Sequence, residues 1–192
     1  MSSPLFVLDP SNDYPALLLK NLSQWTRFDL EFPLNFRSLI AEQKELIFEF
    51  YVEDSESNQI KKEDQRITLA NVGALVFPSY LALTIFPSPC PELEFLPVQV
   101  NGEDWRLLNC LKTTKGYDAE ASQFLRGEGD KIFWVQHLVV TDPSIEECEL
   151  FTLEDSNRAL IFCLPSFKER IEKLGLKGLS FREIGVYEPQ PM

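Results

Sequence analysis

Residues 113–124 read TTKGYDAEASQF and place two threonines, a tyrosine, two carboxylates and a serine within twelve positions. Asp118, Glu120 and Ser122 are the types that acid–base or nucleophilic catalysis uses, provided a base and an oxyanion donor stand near them. A turn accounts for the same spacing with fewer requirements. Gly116 permits a sharp bend, Asp118 can accept backbone N–H bonds as an Asx or N-cap residue, and residues 119–124 then form a short helix with Phe124 turned inward. Ser122, four residues after Asp118, is placed to bond back to the turn. Gly116, Asp118 and Ser122 are therefore read as a structural turn, and no catalytic residue is assigned.

The rest of the chain supplies little to complete a catalytic set. Its one histidine, His137, falls in KIFWVQHLVV at 131–140, on the same alternating face as Phe133, Val135 and Val139, which predicts a packed imidazole. Cys90, Cys110, Cys148 and Cys163 are far apart and form no C-x-x-C pair, so they read as reduced packing residues, and no metal site or cofactor is expected. RGEGD at 126–130 lacks the Lys-Ser or Lys-Thr of a phosphate loop and carries two acids that repel phosphate, so it reads as a turn. Thirty acids always offer some pair at glycosidase spacing, but none is marked by its surroundings.

Charge is the stronger signal. The 192 residues carry a formal net charge of -12, which excludes phosphate-directed binding to nucleic acid or to an anionic membrane and favours a basic partner. From Asp118 to Asp155 ten acids face only Arg126 and Lys131, so about -8 of the total falls in that window. Acidic windows at 53–58, 142–149 and 153–157 read first as solvated loops, but their concentration makes an interface of Glu146, Glu147, Glu149, Glu154 and Asp155, joined by an exposed Trp105. The N-terminus lacks a basic start followed by an apolar run, and no window approaches a membrane span, so a cytoplasmic location is expected.

The elements that position these residues are mostly strands. LFVL at 5–8, the alternating LIFEFYVE at 46–53, ELEFLPVQV and EDWRLLNCL read as strands, the last two joined by Asn101-Gly102 in a hairpin. KIFWVQHLVV, apolar on both faces, reads as a central strand, followed by ELFTLE and ALIFCL. Ser79 opens a short helix over YLALTIF that the prolines around Cys90 end. Ser166 and Glu169 have capping-box spacing, Phe167, Ile171 and Leu174 share a face, and Gly175 can end this helix before a last strand, LSFREI. The expectation is α+β, a mainly antiparallel sheet with a few short helices, in one domain of 1–192 whose residues 1–70 form a looser N-terminal subdomain.

The order of these features, with Pro78-Ser79 before a short helix, Pro97-Val98 in a hairpin strand, Asp118 followed by Ser122, and Gly178 to Phe181 after the closing helix, resembles the bacterial immunity protein 11 family. The likeness covers roughly the last 110 residues. Where members carry Phe-Arg in the strand after the acidic turn, this chain has Phe151-Thr152. The resemblance implies a cytoplasmic immunity protein that binds and blocks a cognate polymorphic toxin. The acidic surface adds that the toxin is basic, as a nuclease would be.

Two rivals remain at this level. A small hydrolase or transferase built on carboxylates and His137 requires a deep pocket holding the imidazole or a close acid pair. A non-catalytic scaffold module requires neither. Oligomeric state does not follow from the sequence.

Overall fold

The computed structural model describes residues 2–11, 17–20, 38, 48–52, 66–70, 73–156 and 160–189. Its strands in chain order are β1 (Ser3–Pro10), β2 (Leu17–Leu19), β3 (Phe48–Val52), β4 (Thr68–Leu69), β5 (Leu75–Pro78), β6 (Leu93–Val100) and β7 (Glu103–Cys110). There follow β8 (Thr113–Thr114), β9 (Gln123–Arg126), β10 (Ile132–Val140), β11 (Leu150–Leu153), β12 (Phe162–Cys163) and β13 (Leu179–Tyr187). They form two sheets: a seven-stranded one in the order β8-β11-β12-β1-β13-β10-β9, and a six-stranded one in the order β2-β3-β6-β7-β5-β4. Eight of the eleven strand pairings are antiparallel; β10 with β13, β11 with β8 and β3 with β6 are parallel. The α+β reading with a mainly antiparallel arrangement therefore holds, in two sheets.

The LFVL run explains how the sheets stack. Leu5 to Leu8 are all buried because β1 is the middle strand of its sheet and both of its faces are covered. Phe6 and Leu8 point into a core shared with the second sheet, where they join Leu75, Phe77, Leu93 and Leu108. Leu5 and Val7 point the other way, into a cluster with Val135, Leu138, Phe151 and Phe162. A third cluster on the second sheet holds Phe48, Phe50, Val98, Trp105 and Leu107. Residue 70 does not divide the sheets: β1 pairs with the C-terminal β13, and β2 to β4 belong to the second sheet. The other positions before 66, including the acidic window at 53–58, lie outside the described residues.

Local turn chemistry acts as read. Asn101 and Gly102 take φ of +49° and +82° and set Val100 opposite Glu103. Ser79–Leu81 is a 3-10 turn running into the short helix Ala82–Ile85, and Phe86 packs 5.0 Å from Phe95 and 5.8 Å from Phe167 between ring centres. The closing helix, Pro165–Lys173, ends with Gly175 at φ +65°. Gly175 N–H donates to Glu172 O (3.0 Å) and Leu176 N–H to Ile171 O (3.2 Å), the paired bonds of a Schellman end.

Three expectations are corrected. The capping box does not form, because the helix starts at Pro165 with Leu164 as its N-cap, two residues before the expected cap Ser166, and Ser166 serves Glu149 instead. Residues 119–124 make no helix; a turn leads directly into β9, since pairing with β10 gives their backbone groups better partners than one helical turn would. KIFWVQHLVV is not buried on both faces: register shifts at Ile132/Trp134 and Val135/His137 break its alternation and leave Phe133 67% and Trp134 41% exposed. Arg182 covers Trp134, its guanidinium 4.6 Å from the ring centre.

Candidate functional site

Residues 118–121 of the Gly116–Ser122 turn are exposed, and Ser122 is buried. Asp118 Oδ1 accepts from the backbone N–H groups of Glu120 and Ala121, each at 2.9 Å, and Ser122 N–H donates to Asp118 O at 2.9 Å. Ser122 Oγ accepts from Val139 N–H at 3.0 Å, and Asp118 N–H donates to Val139 O at 2.8 Å, so the turn is clipped to β10. A Cβ on Gly116 would run into Asp142. His137 is half-buried opposite Gln123 and lines neither the cleft beside Cys148 nor the one beside Tyr51.

A second aspartate opens the acidic segment. Asp142 Oδ1 accepts from Ser144 N–H at 2.9 Å and caps the 3-10 turn Pro143–Glu147, while its Oδ2 accepts from the Thr114 hydroxyl at 2.6 Å. Burial pushes the Asp142 carboxyl up, but bonds from Thr114 and Ser144 and the charge of Lys112 hold it below the usual carboxylate range. Ile145 is fully buried, which turns the neighbouring acids outward. Glu146 accepts from the Tyr187 hydroxyl at 2.8 Å. Burial, the bond to Glu146 and the charges of Glu146 and Asp142 push that hydroxyl up to about 12.

Glu149 sits in the left-handed region, φ +60°, where a side chain is unfavourable by roughly 1–2 kcal/mol. Its carboxylate accepts two bonds from Arg170, at 2.7 and 2.9 Å, and Arg170 also donates to Ile85 O at 3.1 Å. That fork fixes the end of the turn against the closing helix and offsets the backbone conformation. Glu154 pairs with Lys115 at 3.0 Å, and Asp155 accepts from the Tyr117 hydroxyl at 2.9 Å. The segment 112–117 thus carries the cations and hydroxyls that orient both acidic groups. Of the five acids read as an interface, Glu147 has the loosest internal tie, 3.8 Å from Lys112 with its side chain 74% exposed. Trp105 is a correction. It is 2% exposed, since alternation along β7 sends residues 105 and 107 into the core of the second sheet.

The cysteines are corrected too. Cys90 and Cys148 are joined, with Cα atoms 5.5 Å apart, whereas Cys110 and Cys163 are buried thiols outside any disulfide. The Cys90–Cys148 bond links the proline-rich segment before β6 to the acidic turn before β11, a proximity made by sheet packing that no spacing motif announces. Beside it Lys112, its side chain only 8% exposed, reaches Glu92 at 2.9 Å. Phe86, Pro87, Leu93, Glu147, Cys148 and Arg170 border a cleft of about 180 Å³ here.

No known protein family and no curated protein matches this chain.

The sequence did not single out Glu92, Lys112 and Arg170 or pair Cys90 with Cys148, and no local pattern marks them. Glu146, Glu147 and Glu149 gather at the cleft; Glu154 and Asp155 form a separate group around Lys115 and Tyr117. The second cleft, of about 190 Å³ beside Lys20, Tyr51 and Asn101, brings together none of the predicted site residues. No helix among the described residues is long and apolar enough to cross a membrane.

Proposed function

We propose that this chain is a cytoplasmic immunity protein that binds and neutralises a cognate basic bacterial toxin through the acidic end built by residues 142–155. It acts by binding, without turnover. The observation that carries the reading is Glu147: an exposed carboxylate at the lip of a cleft whose other acids are held by internal partners. Of seven acids, Glu92, Glu147, Glu149 and Glu154 pair with only three bases, Lys112, Lys115 and Arg170, while Asp142, Glu146 and Asp155 are held by hydroxyls, so the end stays negative after internal pairing. Acids fixed in advance lose little side-chain freedom on binding, which favours a charge-steered partner.

The test is co-purification with the product of a large toxin gene lying directly upstream, followed by association kinetics. Glu147→Lys combined with Glu154→Lys should slow association at least about tenfold and flatten its dependence on salt. Unchanged kinetics would reject this surface, and failure of the neighbour to bind would reject the toxin reading itself.

A further inference from the structure

We propose that Cys90, Glu92 and Cys148 form a zinc site that is closed while the two sulfurs are bonded and opens when they are reduced. Cys90 and Cys148 lie 58 residues apart in sequence and come from separate segments. The sulfurs and a Glu92 carboxylate oxygen lie within 4.8 Å of one another. Two thiolates and a carboxylate are a donor set suited to Zn²⁺, whose bonds of about 2.0–2.3 Å set tetrahedral ligand atoms roughly 3.5 Å apart. The sulfurs must separate to reach that spacing and the carboxylate must close in, shifts within the reach of side-chain torsions. Cys90, Cys148 and Glu147 all line the cleft, so a fourth position opens onto water or onto an incoming ligand.

Charge supports the loaded state. Two thiolates and Glu92 bring three negative charges, Zn²⁺ leaves one, and the buried ammonium of Lys112, already 2.9 Å from Glu92, balances it. Lys112 opposes a bare cation but matches the net charge of the complete site, and its bond orients the Glu92 ligand as an outer partner does.

The chemistry balances in both directions. A dithiol reductant transfers two electrons and two protons to the sulfur–sulfur bond, yielding two thiols here and a disulfide in the reductant. Zn²⁺ then displaces both thiol protons to solvent as two zinc–sulfur bonds form. Hydrogen peroxide reverses this: the thiolates give up two electrons, the sulfur–sulfur bond re-forms, Zn²⁺ leaves, and the hydrogen peroxide takes two protons from solvent to become two waters. A reducing cytoplasm would keep the site open, and oxidation would release the metal beside the acidic turn.

The test uses the full chain reduced with a phosphine, freed of reductant without air, and titrated with Co²⁺ and then Zn²⁺ against a chromophoric chelator. One Co²⁺ per chain with a thiolate-to-cobalt absorption band, displaced by one Zn²⁺, is expected for the reduced chain and none for the oxidised one. Cys90→Ser should weaken zinc at least about a hundredfold and Glu92→Gln roughly tenfold, through loss of a thiolate or of a carboxylate ligand. Cys110→Ser should leave binding unchanged. A reduced wild-type chain that takes up neither metal overturns the proposal, and so does equal binding by the oxidised chain. Glu92→Gln and the wild-type redox pair decide the matter even if Cys90→Ser fails to fold.

Discussion

The turns at 116–122 and 142–149 use the same local device to different ends. Each opens on an aspartate whose side chain accepts backbone N–H bonds two or three residues ahead. In the first, Asp118 and Ser122 also bond the backbone of β10, so the density of reactive types is absorbed by a clip. In the second, the aspartate frees the following acids to reach across the fold: Glu146 to Tyr187, Glu149 to Arg170, Glu147 toward the buried Lys112. The type of a side chain does not distinguish the two turns. The kind of partner does: the side chains of the first turn bond backbone groups, and the glutamates of the second bond side chains of other elements.

Gly116→Ala should have the largest effect, because it strikes both turns at once. The added Cβ would meet Asp142, a backbone-proximal contact with little room to shift, and about 3 kcal/mol of stability should be lost in denaturant unfolding. A loss below about 0.5 kcal/mol would mean that the turns are not packed as a unit. Arg170→Ala comes next, at about 2 kcal/mol, since the pair is a quarter exposed and solvent screens part of it.

Arg170 also controls the acid response. Burial pushes the Glu149 carboxyl up, but bonds from Arg170 and Ser166 and the Arg170 charge outweigh it and hold that carboxyl below its usual range. A depressed native value means that this stabilisation is complete above the unfolded value, near about 4, and is lost as pH falls through the native one. Arg170→Ala should therefore lose less stability than wild type between neutral pH and about 3, as followed by unfolding at a series of pH values. Parallel curves would assign the acid response to other carboxylates.

What could be read in the sequence divides along the same line. The Asn101-Gly102 hairpin, the Gly175 helix end and the Asp118 cap were legible because positive φ and short side-chain-to-backbone bonds are set by residues within a few positions. The burial of Trp105, the joining of Cys90 to Cys148 and the pairing of β1 with β13 were not, because each depends on packing between distant segments. The helix expected at 119–124 failed for the same reason: β10 offered those backbone groups a ladder that local propensity cannot register. The charge concentration was visible, but the partners that fix Glu149 and Glu154 were not.

Asp118→Ala sharpens the contrast from its weaker side. Its carboxylate serves two exposed backbone N–H groups that water can satisfy in its absence, so the loss should be about 1 kcal/mol, the value of an N-cap. The Asp142 carboxylate, bonded both to Ser144 N–H and to the Thr114 hydroxyl in a partly buried setting, has no such substitute on every side. Asp142→Ala should therefore exceed Asp118→Ala by roughly 1 kcal/mol when both are measured by denaturant unfolding under one buffer. If the two losses were equal, the capping bond alone would carry both turns, and the anchoring of the acidic segment to residues 112–117 would contribute nothing measurable.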